Sequence, residues 1–335
     1  MGDVAMTVPV LRALVLQHPD VKITMVSRPF FQAFFADIPN VNFFGVDLKE
    51  RHKGFLGLLR LFFDLRKLEV DLVADLHNVL RSKVVRTLFA LSGKKVAATN
   101  KVRAEKKALT RLTHKDIAPL KPMVERHVDT FKQLGFSIDV SSQSVGTQFP
   151  EKAVLSEEII SFSGTKNKNW IGIAPFAQYE SKVYPQDLMQ QVIDALAENK
   201  NNHLFLFGGG PTEIQKLQQL QNKHDNVIVV AGKLAFEAEI QLISNLDVML
   251  SMDSGNSHIA AMLGVKVITL WGATHPYAGF KPFNQPDAFC LTADRTQYPL
   301  LPTSIYGNKK VKGYDEVMRT ILPSQVVEKI NSNLT

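Results

Sequence analysis

The chain has 335 residues, 45% hydrophobic and 21% charged, which is ordinary for a soluble globular protein and long for one domain. A single cysteine, Cys290, excludes an intrachain disulfide and a cysteine metal cluster, and no run of eighteen apolar residues suggests a membrane-spanning helix. The net charge of +7 is unevenly placed: residues 1–150 carry 23 Lys+Arg against 14 Asp+Glu (+9), the remainder 16 against 18 (−2). The basic half suits an anionic partner.

In chain order, the opening "MGDVAMTVPVLRAL" is a Gly-Asp turn leading into a helix over 8–16. It reads as neither a myristoylation signal nor a signal peptide, so a cytoplasmic protein is expected. Strands are predicted over 21–26 ("VKITMV"), 41–46 and 72–76 ("LVADL"), with helices over 30–36 and 55–68 between them. No strand precedes the Gly2-Asp3 turn, whereas a parallel domain is expected to begin with a central strand whose carboxyl end carries that turn. The expectation is therefore that the natural reading frame starts upstream and supplies this strand. The tract "SFSGTKNKN" (161–169) divides the chain, giving expected domains over 1–162 and 163–335.

In the second half, strands are predicted over 170–175 ("WIGIAP"), 203–207 ("HLFLF"), 227–230, 248–251 and 265–271. Helices are expected over 185–198, 212–223, 235–244 and 258–263. This β-α-β alternation predicts parallel sheets covered by helices, an α/β class with two doubly wound domains. Ligands of such sheets bind beyond the carboxyl ends of the strands. Those ends carry His77, Asn78 and Arg81, then the 176–182 segment ending at Lys182, then "GGGP" (208–211), then "DSGNSH" (253–258) and "GATHP" (272–276). Ser254, Gly255 and Asn256 stand where a strand passes to a helix, a place where free N–H groups favour an anion. The same residues also fit an ordinary capped helix start, with Asp253 or Ser257 as the cap.

Three stretches carry a family likeness: Gly2-Asp3-Val4 before "AMTVPVLRAL", Lys182 in "SKVYP", and "MDSGNSHIAAMLGVKVITLWGATHP". In order and spacing along nearly the whole chain they resemble family 9 glycosyltransferases, the ADP-heptose:lipopolysaccharide heptosyltransferases. The resemblance implies a GT-B fold, two Rossmann-like domains facing a cleft, with the acceptor on the amino domain and the nucleotide-sugar on the carboxyl domain. It implies inverting transfer of a heptose or related sugar from an ADP-sugar, with no metal and no cofactor. Asp3 would be the base, Lys182 would meet the donor diphosphate, Asp253 the donor sugar, and Ser254, Gly255 and His258 the phosphate and nucleotide pocket. Two positions depart from the pattern. Asn256 stands where the family often has Pro or Leu, and His275 stands where an Asp is common, which removes a negative charge near the donor site.

The acceptor would be an anionic, lipid-linked core oligosaccharide, drawn to the basic segments "LRSKVVR" (80–86) and "KKVAATNKVRAEKKALTR" (94–111). His77, Arg81, Arg103 and Lys106 are the candidate acceptor residues. The aromatic-rich segment "GFLGLLRLFFDLRK" (54–67) suggests peripheral contact with the cytoplasmic face of the inner membrane, against the alternative of a buried helix. Nucleic acid is not an expected partner, because the basic half lacks interleaved stacking aromatics. No G-x-G-x-x-G opens a helix after a strand, which argues against a nicotinamide dehydrogenase. The alternative to an active transferase is a GT-B-like protein that binds nucleotide-sugars without turnover.

Overall fold

The computed structural model describes residues 1–141, 149–222 and 224–334. The chain forms two compact units. One comprises Met1, Asp3–Val102 and Lys121–Phe149; the other comprises Gly2, Arg103–Leu120 and Pro150–Thr335. This division differs from the expected one at 162/163. It ends the amino unit earlier and assigns Arg103–Leu120 to the carboxyl unit.

The amino unit starts with α1 (Gly2–Ala5) and α2 (Val8–Gln17), followed by β1 (Ile23–Ser27), β2 (Val41–Gly45), α3 (Gly54–Arg66), β3 (Leu72–Asp75), α4 (Leu80–Leu91) and β4 (Lys95–Ala98). The expected helix over 30–36 is a 3-10 turn, Pro29–Phe34. Helix α5 (Arg103–Leu109) belongs to the carboxyl unit, and α6 (Met123–Leu134) returns to the amino one. Helix α4, strand β4 and helix α6 were not predicted. Pro9 suits the first turn of α2 because that position has no helical acceptor for an N–H. Helix α2 is buried from Val8 to Val15 except at Arg12, and so forms the centre of the unit.

The strands of this unit form two separate parallel pairs, β1 with β2 and β3 with β4. Most residues of β1 and β3 are only partly buried. The core against β2 and β3 comes from the inner face of α3: Leu58, Leu61, Phe62 and Leu65 meet Val46 and Phe89. Each such side chain contributes about 1.5–3 kcal/mol of burial.

The carboxyl unit continues with α7 (Glu157–Ser163), β5 (Asn169–Ala174), α8 (Gln186–Glu198), β6 (Asn202–Leu206), α9 (Pro211–Gln221) and β7 (Val227–Val229). Then come α10 (Phe236–Ser244), β8 (Val248–Met252), α11 (Gly255–Met262), β9 (Lys266–Trp271), β10 (Cys290–Thr292) and α12 (Pro323–Asn331). The predicted end of α9, Lys223, lies outside the described residues. The six strands form one parallel sheet in the order β10-β9-β8-β5-β6-β7. Alternation sends Ile171, Ile173, Leu204, Leu206, Val248, Leu250, Ile268 and Leu270 into one core with α8, α9 and α12. Residues between them, such as Trp170, Phe205, Met249 and Val267, are equally buried. Both faces are therefore covered, as a parallel sheet requires. Gly172 has no room for a side chain: a Cβ there would lie 2.5 Å from Leu246.

Cys290 is only partly buried and accepts a bond from Thr269 Oγ1 at 3.5 Å, so it is less deeply packed than a core hydrophobe. Its partial burial raises the thiol's pKa.

The contrast between the units has a measurable consequence. Amides of β1–β4 should exchange with deuterium about tenfold or more faster than those of β5, β8 and β9, because their ladders have open sides and partial cover. Equal protection in a native-state exchange experiment would contradict this.

Candidate functional site

Strands β5, β6 and β7 succeed one another to one side of the carboxyl sheet, and β8, β9 and β10 to the other. The order reverses between β5 and β8, which is the switch point where an open parallel sheet offers a crevice. Ala174 at the end of β5 pairs with Ser251 near the end of β8, so the two strands finish almost level. The loop after β5 carries Lys182 on a short 3-10 turn, Glu180–Lys182, and the residue after β8 is Asp253.

These two side chains meet. Lys182 Nζ lies 3.0 Å from Asp253 Oδ2, with side chains only 12% and 9% exposed. Thr274 Oγ1, itself buried, donates to the same carboxylate oxygen at 2.9 Å. The Lys182 turn is fixed from behind by backbone. Ala273 N–H donates to Ser181 O at 3.2 Å, and Ser181 Oγ donates to Gly307 O at 2.7 Å. Two glycines permit this approach. A Cβ on Gly272 would lie 2.8 Å from Ser181 O, and one on Gly307 would lie 2.5 Å from Lys182 Cδ. Gly307 also has a φ of +86°, which favours glycine.

Helix α11 begins at Gly255, three residues before the predicted start at His258. Its N-cap, Ser254, makes no side-chain capping bond; Ser254 Oγ shares a 3.1 Å hydrogen bond with Ser251 Oγ instead. Ser257 Oγ donates to Ser254 O at 2.8 Å, and Asp253 is turned to Lys182 and Thr274. The side chains that could have capped the helix are thus engaged elsewhere. His258 is buried in its first turn.

His275 caps the 3-10 turn Pro276–Ala278, its Nδ1 accepting from Tyr277 N–H at 3.1 Å. Burial, and secondarily the Arg295 charge, push its pKa down to about 4. It is therefore a neutral ring at pH 7. Neighbouring loops are closed in the same manner: Gly209 N–H donates to Glu213 Oε2 at 2.8 Å above the "GGGP" turn.

In the amino unit, Asp3 sits inside the first turn of α1 and not before it as a cap. His77 Nε2 is 3.9 Å from Asp3 Oδ2, both side chains more than half exposed. The turn that presents His77 is built by Asp75, which accepts from Asn78 N–H at 2.6 Å and from Arg86 Nη1 at 3.0 Å. Asn78 takes the left-handed conformation and donates to Thr99 O at 2.8 Å. Partial burial lowers the pKa of His77, opposed by Asp3. Fully buried His127 on α6 also feels the Asp3 charge, but desolvation dominates and brings it to about 4.

The four acceptor candidates divide between the units. His77 and Arg81 lie in the amino unit, Arg103 and Lys106 in the carboxyl one. Arg103 is exposed, whereas Lys106 is buried, its ammonium 4.4 Å from the Phe280 ring centroid and 3.3 Å from Tyr306 Oη. Lys106 thus ties α5 into its own unit. Lys115 acts similarly, donating to Leu300 O and Pro302 O, with burial lowering its pKa to about 8. Sequence reasoning missed Ser181, Thr274 and Gly307; only the "GAT" of 272–274 gave a signal, as small residues after a strand.

A parallel α/β unit with a buried Lys182–Asp253 pair and a helix start at its switch point defines the class of doubly wound proteins with a crevice at the strand ends. The comparisons specify it further. A family model for glycosyltransferase family 9 (heptosyltransferase) matches residues 58–304, more than half of the chain. Lipopolysaccharide heptosyltransferase 3 of Escherichia coli is 23% identical over 82% of this chain and 81% of its own length. A glycosyl transferase family 9 structure from Veillonella parvula superposes with a TM-score of 0.75 at 19% identity, covering 100% of this chain and 94% of that one. The E. coli heptosyltransferase WaaC, solved with ADP, gives a TM-score of 0.67 at 20% identity, covering 99% and 97%. The chain belongs to glycosyltransferase family 9 and is a glycosyltransferase with the α/β fold of the GT-B class.

Two predictions test the site. Lys182→Met and Asp253→Asn should each cost about 3 kcal/mol of unfolding free energy, since each leaves a poorly solvated partner behind. The double variant should lose at least about 1 kcal/mol less than the sum. Strict additivity in urea melts would show that the pair is not coupled. Separately, the unfolded chain takes up protons at His275 and His127 before the folded chain does, because their folded values are depressed from 6.5 to about 4. Their contribution to stability is complete above about pH 6.5 and is lost as the pH falls toward 4. His275→Gln should therefore show a shallower loss of melting temperature between pH 7 and pH 4.5 than the parent.

Proposed function

We propose that this protein transfers a heptose or closely related sugar from an ADP-sugar to an anionic, lipid-linked lipopolysaccharide core acceptor. The observation that carries the reading is the Lys182–Asp253–Thr274 cluster beside the start of α11, where no side chain from Ser254 caps the helix. A diphosphate arriving there meets a compact ammonium and free N–H groups. Lys182 is held ready by Asp253, and the phosphates compete with that carboxylate for it. Asp253, once relieved of the ammonium, is free to accept hydrogen bonds from sugar hydroxyls.

The reaction is a displacement with inversion. An acceptor hydroxyl loses its proton to the Asp3 carboxylate as its oxygen bonds to the anomeric carbon, and the bond from that carbon to the diphosphate oxygen breaks. The departing ADP carries away the electron pair. Lys182 and the first N–H groups of α11 neutralise the charge that develops on it, a role that elsewhere falls to a metal ion. His77 Nε2 lies 3.9 Å from the Asp3 carboxylate, close enough to flank an acceptor hydroxyl presented to it. Arg81, at the start of α4, supplies long-range attraction for an anionic acceptor. A lipid-linked acceptor would place the protein at the cytoplasmic face of the inner membrane.

Asp3→Asn keeps the shape of the side chain and removes its basicity. Transfer should fall by about 10²–10⁴-fold, while the thermal shift produced by ADP stays that of the parent. In the parent, ADP should stabilise more than UDP, GDP or CMP. Near-normal turnover of Asp3→Asn would remove Asp3 as the base, and a larger shift with another nucleotide would reassign the donor.

A further inference from the structure

The outward face of α3 takes no part in the chemistry described above. Phe55, Leu56 and Phe63 are 65%, 68% and 55% exposed. Isolated exposed apolar residues are common on folded proteins, but these three share one helix face. At about 100° per residue, Phe55, half-buried Leu59, Phe63 and Leu56 fall within an arc of roughly 100°. Arg66 lies in the same arc at the helix end, and Lys67 and Arg60 lie on its border. The opposite side of the helix, Gly57, Leu58, Leu61, Phe62 and Leu65, is buried in the core.

The inner attachments hold this face outward. A Cβ on Gly57 would lie 2.2 Å from the His52 carbonyl carbon, so the first turn of α3 rests directly on backbone. Arg51 Nε and Nη2 donate to the two oxygens of Asp64 at 2.9 and 2.8 Å, and His52 Nε2 is 3.3 Å from the same carboxylate. Asp64 is the one acid on α3, and it is engaged on the inner side. Lys53, Arg60, Arg66 and Lys67 are all exposed around the apolar arc. Across residues 49–69 there are six Lys+Arg against three Asp+Glu, a net +3.

We propose that this face seats the protein on an anionic lipid surface. Phe55, Leu56 and Phe63 enter the boundary between headgroups and acyl chains, and the four cations reach the lipid phosphates along their own hydrocarbon stems. Charge selects this occupant over a second copy of the chain. A symmetric contact through the same face would press four cations against four others.

The test uses the full chain and vesicles of phosphatidylcholine alone or mixed with phosphatidylglycerol, holding neither donor nor acceptor, so the outcome does not depend on turnover. The protein should sediment with the mixed vesicles only, and less as salt rises. Binding should fall about tenfold or more in Phe55→Ser/Leu56→Ser/Phe63→Ser and also in Arg60→Glu/Lys67→Glu. These side chains lie outside the core, so melting temperature and the ADP-induced shift should be those of the parent. Indifference to lipid charge, or full binding by both folded variants, overturns the proposal. So does parent self-association in solution that the triple apolar variant abolishes, since that result assigns the face to a second copy.

Discussion

The buried contact between Lys182 and Asp253 is the constraint on which the carboxyl unit is organised. Two charges removed from water are tolerable only when each is held by good geometry. The surroundings meet that demand by placing β5 beside β8, finishing both strands almost level, and aiming Thr274 at the same carboxylate oxygen. The glycines at 272 and 307 follow from this, since any side chain there would displace the Lys182 turn. Under the proposed function, a pair fixed in this way is preorganised for a diphosphate. The ammonium is already desolvated and directed, and an anion of higher charge need only outcompete one carboxylate.

The two units reach stability differently. The carboxyl sheet is paired across six strands and sealed on both faces, so its strand ends make a rigid frame for short functional loops. The amino unit has two short parallel pairs and relies on a nearly all-apolar α2 and on the inner face of α3. The elements that present Asp3 and His77 are therefore lightly held, while those that present Lys182 are tightly held. The proposed base, which must accommodate a large acceptor, tolerates the first condition; the proposed phosphate site, which must exclude water, benefits from the second.

Lysine serves three physical purposes in this chain. Lys182 is a directed charge beside a carboxylate, and Lys106 lies over aromatic rings where the ring quadrupole stabilises it. Lys115 spans to backbone carbonyls and is destabilised as a cation by burial. The last two anchor Arg103–Leu120, which lies in sequence between the two long stretches of the amino unit, to the carboxyl unit. Net charge alone treats all three as attraction for an anion. Of the three, Lys182 is the one that the proposed function sets against an anion.

Much of the architecture was legible in the sequence, because a parallel sheet buried on both faces writes itself as short apolar runs. "WIGIAP", "HLFLF" and "VKVITLW" mark β5, β6 and β9 within a residue or two. The same logic located the polar turns after β5 and β8, and with them Lys182 and the Asp253–His258 stretch. Strand β4 mixes charge with small residues and was not legible; helices α4 and α6 carry apolar residues at helical spacing, as at Val124, Phe131 and Leu134, that the dense surrounding charge obscured. Nor could the sequence tell that the amino strands would pair two by two, or that Arg103–Leu120 would join the other unit. Those outcomes depend on which edges meet and which lysines find carbonyls or rings. Period and composition determine which face of an element turns inward; the partner it finds there is decided only by the tertiary packing, and the ion pair, the uncapped helix start and the outward face of α3 all depend on that partner.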